Sequence, residues 1–98
     1  MGRVPFHWSP LAFVQLVGIE PYEVMQVLQG KRPRWPVRKV HPDGLRVLEI
    51  WGRTQTGRVL VVITREVRGA RFDYQILGAR EMTAVEAAQY DEWEASRG

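Results

Sequence analysis

LRVLEIWGRTQTGRVLVVITRE (residues 45–66) is two runs of aliphatic and β-branched residues either side of TQTG, the pattern of a β-hairpin. In the first run, residues 45–54, Val47, Glu49, Trp51 and Arg53 fall on one side, and Leu48 and Ile50 on the other. The second run, residues 58–66, is apolar on both sides, which marks it as a central strand. Gly57 is free to take the positive φ that the connection needs.

Working outward, RFDYQILGA (71–79) sets Phe72, Tyr74 and Ile76 against Arg71, Asp73 and Gln75, so it reads as another strand with one core side. Thr83 and Glu86 form a T-x-x-E capping box for a helix through about residue 95, with Val85, Ala88 and Trp93 facing inward. Upstream, HPDG (41–44) is a turn, and Pro33 and Pro36 confine RPRWPVRKV to an edge strand or a strand start. The N-terminal third reads as helical. Ser9 caps a short helix with Leu11, Val14 and Val17 on one face and Gly18 as its stop; a second runs from Pro21 to Gly30 with a Val24, Met25 and Leu28 stripe. The expectation is one α+β domain over residues 1–98: two short N-terminal helices, a four-stranded antiparallel sheet and a C-terminal helix.

The net charge of +3 conceals a segregation. Residues 31–80 carry twelve cations and four acids, hence +8, whereas residues 1–30 carry −1 and residues 81–98 carry −4. Ten of those twelve cations are arginine, whose planar fork pairs phosphate in two places and stacks on bases. A nucleic-acid backbone is the natural partner, and a solvated basic surface is the plain alternative. The absence of cysteine rules out disulfides and thiolate metal sites, and two histidines with no Asp/Glu cluster at ligand spacing argue against a metal. No nucleotide-binding loop or other cofactor signature is present: GRTQTG lacks the lysine and following helix of a phosphate loop. With no apolar run of about 18 residues and no leader pattern, a soluble cytoplasmic protein without membrane contact is expected.

If the aliphatic side is core, Glu49 and Arg53 are displayed with Trp51 between them, and a carboxylate beside a stacking aromatic and guanidinium groups has the parts for RNA cleavage. A base removes the 2′-hydroxyl proton, cations steady the phosphoryl oxygens, and an acid protonates the leaving 5′-oxygen. The same residues also suit a surface ion pair. Arg65 and Glu66 could be an exposed pair. Arg53 and Arg58 flank the hairpin turn, where they suit phosphate contacts or solubility. Trp35 can stack a base or belong to the core, and His41 is either an acid/base group or turn surface. Arg80 has two readings. It pairs with Glu81 or Glu86, or it meets a phosphate at the start of the helix, where the helix dipole offers a cation no stabilisation.

The order IWGRTQTGRVLVVITRE followed by ILGAREMTAVEAAQY, with the opening FHWSP, resembles the BrnT family of toxins, relatives of the RelE superfamily. The specific part of the resemblance is residues 46–90. It implies a RelE-like fold and a cofactor-free, metal-independent endoribonuclease that cleaves RNA and slows growth. Its implied partner is a co-encoded antitoxin with a ribbon-helix-helix part. By position it implies Glu49, Arg65 and Arg80 as catalytic residues, while the chemistry of the residues themselves puts Arg34, Trp35, His41, Arg53 and Arg58 forward as RNA contacts. The chain departs from the family in QLVGIEP, where a Lys-His-Gly type segment usually stands, and at Gln75 or Asp73 in place of an arginine. Those departures keep open a noncatalytic nucleic-acid-binding or protein-interaction module on the same fold.

Overall fold

The computed structural model describes residues 6–12, 16, 18–67 and 73–97. They form an α+β domain of five strands and two helices: β1 (Phe6–Trp8), α1 (Pro21–Gln29), β2 (Trp35–Val40), β3 (Arg46–Arg53), β4 (Val59–Glu66), β5 (Tyr74–Glu81) and α2 (Ala84–Ser96). The sheet order is β1-β5-β4-β3-β2. Among the described residues, no helix is long and apolar enough to cross a membrane.

The hairpin at the centre folds as the sequence indicates. β3 and β4 pair antiparallel from Arg53↔Val59 to Leu48↔Thr64. Gly57 takes φ +95°, a conformation that would strain any residue with a side chain. The doubly apolar β4 is indeed the middle strand, and the proline-bearing β2 is an edge.

Two expectations about the N-terminal part need correction. The sheet is not four antiparallel strands but five in a mixed arrangement, because Phe6–Trp8 pair in parallel with Tyr74–Ile76. Only one of the two expected N-terminal helices, Pro21–Gln29, is found among the described residues. Of the other, Pro10–Ala12 form a tight turn closed by Ala12 N–H on the Ser9 carbonyl at 3.0 Å, and residues 13–15 and 17, including Val14 and Val17, lie outside the described residues. So do Arg71 and Phe72.

Each sheet face carries its own apolar cluster. On one, α1 lays Val24, Val27 and Leu28 on Ile50, Leu60, Val62, Ile76 and Ala79. The approach is close at Gly52, where a Cβ would stand 2.9 Å from Val27 Cγ1, so a larger residue requires Val27 or α1 to shift. On the other face, α2 covers Trp51 and Val61 with Tyr90, together with Met82 and the partly buried Trp35 and Trp93. Val85 and Ala88 therefore do not face inward. Val85 is 68% exposed, and the buried residue of α2 is Tyr90, whose hydroxyl donates to the Pro33 carbonyl at 2.6 Å. The helix presents Glu86, Tyr90 and Trp93, spaced by four and three, with Ala87 beside them, to the sheet. This second cluster also corrects the view that Trp51 and Glu49 are displayed: both are buried.

A register shift between Ile63 and Thr64 sets Gly78 opposite Ile63 but Ile76 opposite Thr64, leaving Leu77 as the extra residue of a bulge in β5. The bulge lets both Ile76 and Ala79 join the α1-side cluster despite their odd spacing.

Candidate functional site

Strand alternation and the registers place Glu49, Arg65 and Arg80 on one face of the sheet. Trp51 lies opposite Val61, and Val61 opposite Arg80. Glu49 lies opposite Ile63, two residues before Arg65 on the same strand. The three residues thus share the α2 side, in neighbouring rows.

Glu49 is the most buried of the three, its side chain only 5% exposed. One carboxylate oxygen, Oε1, accepts from Trp51 Nε1 at 3.0 Å and stands 3.5 Å from Lys39 Nζ. Lys39, on the edge strand opposite Val47 and diagonal to Glu49, also lies over the Trp51 ring, 5.5 Å from its centroid. Sequence reasoning missed Lys39. Its only local signal is that it alternates with Trp35 and Val37 on an edge strand, which puts it on the tryptophan side.

Arg80 ends β5, and its fate is tied to the capping box that follows. Thr83 Oγ1 accepts from Glu86 N–H at 3.2 Å, and Glu86 Oε1 accepts from Thr83 N–H at 2.8 Å. The capped Glu86 then receives both terminal nitrogens of Arg80, at 2.6 and 2.8 Å. This fork-to-fork bond is the main reason the Glu86 carboxyl is pulled down to about 2, with the Thr83 backbone bond adding to it against burial. Arg80 is shifted up by the same Glu86 bond and, more weakly, by the charge of Glu49. The local-pairing reading of Arg80 is therefore satisfied, while 40% of its side chain stays open to solvent.

Arg65 is exposed and gives its Nε to Gln75 Oε1 at 2.9 Å. Gln75 thus acts as a neutral acceptor that steadies a cation.

The remaining sequence-proposed residues divide sharply. Arg53 is bound to α2: it donates to Asp91, to Glu94 Oε1 at 3.0 Å and to the Gly57 carbonyl at 3.1 Å, and it lies over the Tyr90 ring. Arg58 bridges Glu23 Oε1 at 2.8 Å and Glu81 Oε1 at 2.5 Å, joining the start of α1 to the end of β5. Both guanidinium groups are shifted further up, Arg53 chiefly by Glu94 and Arg58 chiefly by Glu81. Trp35 stacks on Trp93 with centroids 5.3 Å apart and meets Trp51 edge-on, so it belongs to the apolar cluster under α2. His41 closes the β2–β3 turn through its backbone. Arg34 is exposed with no hydrogen bond or ion pair among the described residues.

Among the described residues, no three His, Asp or Glu side chains gather closely enough to hold a metal ion. The chain matches no protein-family model, no curated protein and no solved structure.

Proposed function

We propose that this protein is a BrnT-like, RelE-related toxin: an endoribonuclease that works without a metal, with Glu49 as base and Arg65 and Arg80 as phosphate-facing cations. The observation that supports the reading is the common face of these three residues, with a buried carboxylate beside an ammonium on the diagonal position of the edge strand. Glu49 takes the 2′-hydroxyl proton. The 2′-oxygen attacks phosphorus, and the bond to the 5′-oxygen breaks. Lys39, in contact with Glu49, returns a proton to that oxygen. Arg65 and Arg80 face the negative charge that grows on the phosphoryl oxygens. Substrate entry requires Lys39 to swing off Glu49, and its side chain, 43% exposed, has solvent to move into. In this reading an antitoxin covers the basic body of the chain, as a ribbon-helix-helix partner would.

A second reading draws on the Arg80–Glu86 clamp, which already satisfies the arginine internally. It makes the protein a noncatalytic nucleic-acid or protein-binding module on the same fold. Labelled RNA incubated in EDTA with wild type and Glu49→Gln separates the two. Cleavage reduced at least about a hundredfold in the variant supports the enzyme. Equal cleavage by both removes Glu49 from the mechanism, and intact RNA with folded wild type favours the second reading.

A further inference from the structure

The cations of the sheet fall into two groups according to what already holds them. Arg53, Arg58 and Arg80 are neutralised by carboxylates of the chain itself. The Arg38 and Arg46 side chains have no hydrogen-bond or ion-pair partner among the described residues, and Arg65 gives only its Nε, to neutral Gln75. These three unneutralised arginines stand around one cavity of about 790 Å³.

The cavity has a structural cause. β3 and β4 pair as far as Leu48↔Thr64 and no further, although both strands continue. Beyond that point β3 stays with β2 through Val40↔Arg46, and β4 stays with β5 through Glu66↔Tyr74. The sheet therefore forks just past the bulge. Thr64 Oγ1 donates to the Leu48 carbonyl at 2.7 Å at the base of the fork. Leu45 and the first residues of β3, Arg46 to Leu48, line the cavity together with Arg65 and Glu66, as expected for a split between strands rather than a patch on one face. Tyr74 forms part of the wall.

We propose that this fork is a binding site for single-stranded RNA, with Arg38, Arg46 and Arg65 on the phosphodiester backbone and Tyr74 stacking a base. Guanidinium groups with no carboxylate in ion-pair contact attract phosphate, and an aromatic wall beside them suits an unstacked base, whose ring faces a duplex would hide. Glu66 in the same wall opposes a purely carboxylate-rich occupant and offers an acceptor to a base amino group. The site takes its ligand class from the RNA reading above but does not depend on cleavage. Arg65 belongs to both, so the fork would lead a strand toward Glu49.

The test is fluorescence anisotropy with a labelled 2′-O-methyl oligoribonucleotide, which lacks the attacking hydroxyl and reports binding alone. Arg38→Ala with Arg46→Ala is expected to weaken binding tenfold or more and to flatten the log-affinity against log-salt slope by about 1.4, the value for two phosphate contacts on a single strand. Tyr74→Leu is expected to weaken it about tenfold on an intact oligomer and leave an abasic oligomer unaffected. Lys31→Ala with Arg32→Ala, equal in charge but away from the fork, is expected to stay within about twofold of wild type. Equal losses in both double variants overturn the site, as does competition by polyglutamate as effective as by RNA of equal charge. Absence of RNA binding by wild type sinks the RNA reading and the site together. Wild-type binding indifferent to the fork substitutions sinks the site alone.

Discussion

Replacing Glu86 by Gln tests the corner where β5 turns into α2. The amide oxygen can still accept from Thr83 N–H, so the cap persists while the charge facing Arg80 is lost. The Glu86 carboxyl is lowered from 4.5 to about 2, and at about 1.4 kcal/mol per unit the full shift corresponds to roughly 3 kcal/mol. Because 40% of the Arg80 side chain is exposed, screening by solvent reduces the expected loss to about 2 kcal/mol at pH 7. A carboxyl whose pKa is depressed on folding stabilises above its unfolded pKa, and the benefit disappears as pH falls through the folded value. The difference between wild type and variant should therefore be complete above about pH 5, shrink between about pH 4.5 and 2, and nearly vanish at pH 2. Urea unfolding followed by tryptophan fluorescence at pH 7, 4, 3 and 2 measures it. A variant as stable as wild type at pH 7, or a gap that persists undiminished at pH 2, would show that the clamp does not hold this corner.

Three other substitutions probe the frame around the site. Tyr90→Phe removes the 2.6 Å bond to the Pro33 carbonyl and should cost about 1 kcal/mol in chemical denaturation; an unchanged midpoint would mean that bond is idle. Gly52→Ala pushes a methyl against Val27 Cγ1, 2.9 Å away, and should cost about 1–3 kcal/mol, which thermal unfolding will register unless α1 can retreat. Lys39→Met strips Glu49 of its cation while leaving the Trp51 bond, so RNA cleavage should fall while the far-ultraviolet circular dichroism stays native; full activity would remove Lys39 from the proton path.

Local chemistry was legible and distant pairing was not. Thr83 and Glu86, Gly57, and the prolines of the edge strand each act over a few residues, and all did what their types require. β1 carries no comparable signal: three residues join the sheet only because β5, remote in sequence, offers a parallel edge. Alternation assigned Glu49, Trp51 and Arg53 correctly to one side of β3, but it could not tell whether a second apolar layer covers that side. α2 does so with Tyr90 and Trp93, and this makes Glu49 a buried carboxylate rather than a displayed one.

Arginines show the same limit. Arg53 finds Asp91 and Glu94, and Arg58 finds Glu23 and Glu81, through contacts separated by 23 to 41 residues. Composition counts such residues as basic surface, whereas the fold spends their charge on clasping its helices. Three of the arginines left without a carboxylate partner among the described residues, Arg38, Arg46 and Arg65, lie at the sheet fork, which depends on where β3 and β4 part and so is invisible to any local pattern.

The chemistry of the RNA ends left after incubation with the purified protein in EDTA tests the central claim most directly. Attack by the 2′-oxygen, activated by Glu49, predicts 2′,3′-cyclic phosphate and 5′-hydroxyl ends by mass spectrometry, absent when the scissile nucleotide carries a 2′-deoxy sugar. Ends with 3′-hydroxyl and 5′-phosphate, or cleavage indifferent to the 2′-hydroxyl, would contradict the account.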